Sequence, residues 1–151
     1  MRFASLFLFA CLMAAPAVAR PVTVLDSSGA PVANAVVSFD AGGASPASFG
    51  QPLELRQKDL RFEPYVLVVP VGASVEFPNL DRVRHHVYSF SKGNRFELEL
   101  YGREAHRSVS FDKPGTVAIG CNIHDMMLAY IQVTDAAFAG ATDAAGRGEI
   151  A

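Results

Sequence analysis

The chain has no tryptophan, two cysteines and no basic stripe among its 151 residues. Each scarcity excludes something. Without a clustered basic face, nucleic acid is not an expected partner. Cys11 lies in an N-terminal segment expected to be removed, which leaves Cys121 alone. A single cysteine rules out an internal disulfide, although disulfides are the usual fate of thiols in exported proteins. A free thiol in an oxidising compartment must be buried and inert, or something must hold it. Beyond the N-terminus no stretch keeps a helical period, so a helical bundle is not expected. Half of the residues are hydrophobic and eleven are phenylalanine, enough for the core of one domain.

The N-terminus reads as a targeting segment. Met1-Arg2 is a short basic start, residues 3–14 are apolar apart from Ser5, and Ala17-Val18-Ala19 has the small-x-small pattern of a cleavage site. A cleaved signal peptide over residues 1–19 is expected, and with it export to the periplasm. A membrane anchor is the alternative. The uncharged stretch is about 17 residues, the short limit for a span, and it ends in a cleavage pattern. No stable anchor is therefore expected. Loss of Arg2 leaves one fewer than the 13 basic residues against 15 acidic ones, a net charge of about −3.

Residues 20–135 read as strands and turns. Strands are expected at 22–24, 35–39, 65–69, 74–77, 85–90, 96–100, 108–111, 117–121 and 128–133. Asp26-Ser27-Ser28-Gly29 and Lys113-Pro114-Gly115 supply turn chemistry, and residues 41–52, rich in Gly, Ala, Ser and Pro, read as a flexible loop. Short strands at this spacing point to an all-β sandwich or barrel. Residues 136–151 are small and weakly patterned, and are expected to form a flexible tail. Within them, residues 142–146 echo the Asp26–Gly29 turn, which suits one more hairpin or a second module that stops short.

The chemistry concentrates in Gly120-Cys121-Asn122-Ile123-His124-Asp125-Met126-Met127. A thiolate, an imidazole and a thioether fall within seven residues between two expected strands. Cysteine and methionine are soft ligands suited to copper, and imidazole suits it too; two histidines, a cysteine and a long axial methionine form the ligand set of blue-copper electron-transfer sites. The second histidine can come from Arg84-His85-His86-Val87. Strand alternation puts Cys121 on the inward face with Val117 and Ile119, and Gly120 leaves room for a close neighbour. Singly, each residue has a plainer reading. A buried cysteine is often only a small hydrophobe, paired methionines are often core filler, and His106, between Ala105 and Arg107, reads as solvated.

Taken together, Phe77-Pro78-Asn79-Leu80-Asp81, His85-His86-Val87-Tyr88-Ser89-Phe90-Ser91, Phe111-Asp112-Lys113-Pro114-Gly115 and Cys121-x-x-His124-x-x-Met127 resemble the cupredoxins, over about residues 55–135. The short ligand loop is amicyanin-like, and the fuller pattern is similar to exported bacterial proteins labelled plastocyanin-like or methylamine-utilisation proteins. The resemblance implies a Greek-key β-sandwich behind the signal peptide. It also implies one type 1 copper site in which His85, Cys121, His124 and Met127 are the ligands. Residues 20–54 would be an N-terminal β extension packed on the core, and residues 22–39 are similar to a carboxypeptidase regulatory-like repeat. Two departures bear on the ligands: His86 stands where cupredoxins place an asparagine that ties the ligand loops together, which leaves His86 as an alternative to His85, and Met126 competes with Met127, which only the loop spacing favours.

The expected role is a one-electron carrier that docks on a redox protein, not an enzyme. Cys121 and His124 could be read as nucleophile and base, but no third orienting group is suggested. A copper-delivery or storage protein would use the same ligands in a more open site, and a metal-free structural β-domain would use none.

Overall fold

The computed structural model describes residues 20–40 and 53–150; the expected signal peptide and the loop at 41–52 lie outside the described residues. Among the described residues there are thirteen strands and no helix. The central sheet has the order β5-β11-β10-β7-β8. Its strands are β5 (Val66–Pro70), β7 (His85–Ser89), β8 (Phe96–Tyr101), β10 (Gly115–Cys121) and β11 (Leu128–Thr134). Along β10 the inward positions Val117, Ile119 and Cys121 are buried and alternate with outward ones, as a half-buried strand requires. The antiparallel register with β11 sets Val117 against Ile131 and Ile119 against Ala129, while β5 joins β11 in parallel and sets Leu67 against Ile131.

A second layer faces this sheet. It is built from β6 (Ala73–Glu76) paired with β9 (Ser108–Phe111), and from the segment around Leu53 and Leu55, which hydrogen-bonds to Glu76. That segment leads into a hairpin of β3 (Arg56–Lys58) and β4 (Arg61–Glu63). Phe77, Phe111, Val75 and Leu55 from this layer meet Val69, Val87, Val117 and Ile131 from the sheet in one fully buried cluster. Burial of each phenylalanine side chain contributes roughly 1.5–3 kcal/mol. The architecture is all-β, with sheets compatible with a cupredoxin-like sandwich.

The expectation of a flexible tail after residue 135 is corrected. β12 (Phe138–Ala141) pairs with β2 (Val36–Phe39), and β13 (Arg147–Ile150) pairs with β1 (Arg20–Thr23). The two ends of the described chain thus share one small β module, and strands β1 and β2 find their partners there instead of in the central sheet. The small residues that read as disorder are a packing requirement. A Cβ on Gly140 would lie 2.2 Å from the Glu149 carbonyl oxygen, and one on Gly148 2.9 Å from that of Ala141. The turn echo is real: Asp26 Oδ1 accepts from the amides of Ser28 and Ala30, and Asp143 Oδ1 accepts from those of Ala145 and Arg147.

Thr142 ties this module shut. Its buried hydroxyl donates to the Val32 carbonyl at 2.7 Å and accepts from the Ala35 amide at 2.9 Å. Thr142→Val strips both partners at constant shape and is expected to destabilise the fold by about 1–3 kcal/mol. Thr142→Ser keeps the hydroxyl and is expected to lose less. Urea denaturation of the three proteins checks the ranking.

Candidate metal centre

The site forms where β7 and β10 end side by side. Gly120 pairs with Tyr88 and Cys121 with Val87 across the two strands. Gly120 lets the Tyr88 side chain pack closely here: a Cβ would sit 3.0 Å from its ring and hydroxyl, and the tyrosine would have to shift. On β7, alternation buries His85, Val87 and Ser89 and leaves His86 and Tyr88 partly exposed. The β7–β8 register shifts between His85 and Val87, the kind of irregularity common beside functional sites.

Three donor atoms converge. His85 Nδ1 lies 3.2 Å from His124 Nδ1, and Cys121 Sγ lies 3.8 Å from the first and 3.5 Å from the second. Among the described residues this is the one group of three such donors that could hold a metal ion. Metal bonds of about 2.0 Å to nitrogen and about 2.3 Å to thiolate, the zinc values, hold trigonal donors about 3.5–3.7 Å apart. The edges of the observed triangle, 3.2, 3.5 and 3.8 Å, come within about 0.3 Å of that size, so the residues fit a metal ion with only small shifts. Two imidazoles with one thiolate, and a thioether near by, select copper among the first-row ions.

Each sequence-expected residue has a definite place. His85 is fully buried, Cys121 and Met127 are nearly so, and all but the partly exposed His124 lie in the interior. Met127 belongs to the same core cluster as Cys121, and its amide donates to the His124 carbonyl at 2.9 Å, closing the loop. Met126 is 74% exposed and is not core filler. His86 lies outside the donor group: its Nε2 sits 2.8 Å from Glu97 Oε1, yet out of line for a hydrogen bond. His106 is exposed.

The His86 carbonyl itself accepts from the Asn122 amide at 3.0 Å, tying the two ligand segments by backbone. Asn79, nearly buried, shapes the loop leading to His85: its side-chain amide donates to the carbonyls of Val83 and Tyr101, and its oxygen accepts from the Asp81 amide.

Sequence reasoning assigned no role to Asp81. Its Oδ2 lies 2.9 Å from His85 Nε2. Burial works to raise the Asp81 carboxyl, but the Leu60 amide, the His85 imidazole and the Asp59 amide outweigh it and hold the group below the ordinary carboxylate range. Burial pushes His85 below the ordinary histidine value, against the pull of Asp81. A carboxylate oxygen can only accept, so Nε2 is the donating nitrogen of His85, and Nδ1 is the nitrogen that faces Cys121 and His124. The signal available in the sequence was spacing alone: Asp81 precedes His85 by four residues inside the Phe77-Pro78-Asn79-Leu80-Asp81 motif.

Asp81 is itself gripped by the β3–β4 turn. The Asp59 amide donates to Oδ1 at 2.7 Å and the Leu60 amide to Oδ2 at 3.1 Å. Both turn residues have positive φ, 53° and 57°. That is the two-residue turn whose twist matches a hairpin, usually built from Asn and Gly; for leucine the left-handed conformation costs roughly 1–2 kcal/mol.

No protein-family model and no curated protein matches the sequence. Solved structures do match. A copper-containing nitrite reductase from Thermus scotoductus SA-01 is 28% identical with a TM-score of 0.53, over 65% of this chain but 27% of that one. A reduced Cu(I) amicyanin variant is 21% identical with a TM-score of 0.51, over 65% of this chain and 92% of that one. An oxidised amicyanin variant is 18% identical with a TM-score of 0.51, over 68% of this chain and all of that one. The architecture and these likenesses agree: the chain has the cupredoxin fold.

Proposed function

We propose that this chain is a periplasmic type 1 copper protein that carries single electrons between redox partners, and that His85, Cys121, His124 and Met127 hold the copper. The observation that carries the reading is the donor triangle of His85, Cys121 and His124, already at ligand spacing. Copper supplies a centre that cycles between Cu(I) and Cu(II) when bound. The chain's own residues do the rest. Cys121 and His85 are anchored in the sheet and its ends, so the donors need little movement between the two states. Met127, buried in the same core cluster as Cys121, would offer its thioether as the fourth and weakest ligand.

His124 is the one imidazole of the group that reaches the surface. Ile123 and Met126 stand beside it, 51% and 74% exposed, and offer a small apolar contact that suits brief docking. A net charge near −3 gives weak long-range steering. Export rests on the N-terminal segment; no helix of the described residues is long and apolar enough to cross a membrane. The likeness to the nitrite reductase covers 27% of that enzyme.

Met126→Lys tests the docking face. Two loops each carrying a lysine repel on contact, so electron self-exchange is expected to fall about tenfold or more, with the visible spectrum and thermal stability unchanged because Met126 is exposed. Unchanged exchange in a folded, copper-loaded protein removes this loop as the docking face. Rapid surrender of copper to an apo acceptor favours delivery or storage over electron transfer.

A further inference from the structure

The ring edge of His85 opposite to Cys121 and His124 faces a fixed anion. Asp81 receives Nε2–H of His85 at 2.9 Å and two backbone amides, those of Asp59 and Leu60, at 2.7 Å and 3.1 Å. The carboxylate side chain is 13% exposed and its partner imidazole is fully buried. Those two amides point the same way because both turn residues are left-handed, a conformation that leucine rarely adopts. Strain of this kind persists where the surroundings over-determine it and is frequent at functional sites. Here the strained turn does one identifiable thing: it aims two N–H groups at the carboxylate behind a buried donor histidine.

We propose that Asp81 is a positioning residue for the metal centre, locking His85 in its Nε2–H tautomer and setting a negative charge one imidazole away from the metal, so that the oxidised state is favoured and the reduction potential lowered. The inference rests on the copper reading above. Carboxylate–histidine–metal triads fix the ring and raise the basicity of the ligating nitrogen. A backbone carbonyl in the same place would fix the tautomer but add no net charge. The β3–β4 turn is then part of the centre, although none of its residues touches the donor triangle.

The first test needs no metal. Nitrogen NMR of the metal-free chain is expected to show His85 protonated at Nε2 and bare at Nδ1, and Asp81→Ala is expected to lose that preference. An Nδ1–H tautomer in the unaltered chain overturns the proposal. The second uses the copper-loaded chain. Asp81→Asn keeps the size and one acceptor oxygen while removing the charge. It is expected to raise the reduction potential and weaken Cu(II) binding by about 10- to 100-fold, with the thiolate absorption band retained. Leu60→Gly keeps both amide donors and relieves the left-handed leucine; its potential and tautomer are expected to match the unaltered chain. A lower melting temperature for Asp81→Asn with unmoved potential and tautomer makes Asp81 a turn cap only. An equal shift of potential in Leu60→Gly rules out the charge as the cause. A loaded chain without a thiolate band refutes the copper reading and the potential effect with it, while the tautomer result stands or falls separately.

Discussion

Replacement of Cys121 by serine is expected to abolish the intense visible band of the copper-loaded protein. The band of a blue-copper site arises from charge transfer between thiolate and Cu(II), and serine offers a hard, protonated hydroxyl in place of a soft anion. The substitution is nearly isosteric, and the position is 4% exposed, packed with the core that contains Val117 and Ile119. A buried hydroxyl without a partner costs about 1–3 kcal/mol, and the nearest imidazole nitrogen, Nδ1 of His124, lies 3.5 Å from the sulfur position, so a small shift of that partly exposed ring can meet it. The fold should therefore survive, and the colour should not. Absorption spectra of the two proteins with one equivalent of Cu(II) decide it. A colour that persists in Cys121→Ser assigns the band to something other than this thiolate.

The neighbouring histidines are expected to behave as opposites. His85 is fully buried and bonded to Asp81, so His85→Ala opens a cavity and strands a carboxylate. Its metal-free form should lose roughly 2–4 kcal/mol of stability, and its copper complex should lose the type 1 spectrum. His86 lies on the other face of β7. Among the described residues its side chain has one close polar contact, the misaligned one with Glu97, which is largely exposed. His86→Ala should lose less, about 1 kcal/mol, with its spectrum intact. Denaturation of the metal-free proteins and spectra of the loaded ones read both halves. A reversed ranking moves the ligand to His86.

Strand period made much of this legible beforehand. With Val117 and Ile119 on the inward face, Cys121 had to point inward as well, and it does. The sequence left His86 open beside His85 and Met126 beside Met127; in the structure His85 and Met127 are buried, His86 is partly exposed and Met126 is exposed. The β3–β4 hairpin was not legible. Each strand has three residues with one buried side chain, and the turn Asp59-Leu60 has no glycine to announce it. Asp81 could not be assigned a role without that turn, since its partners are backbone amides more than twenty positions away. The terminal module failed for a different reason. Gly140 and Gly148 are small because strands cross closely there, and composition alone does not distinguish close crossing from disorder.

The most direct measurement is a spectroelectrochemical titration of the chain from Arg20 onward with Cu(II). The account predicts an intense visible band that saturates at one copper per chain, bleaches on one-electron reduction and returns on oxidation. A saturating stoichiometry other than one, or a bound Cu(II) with no visible band, would contradict it.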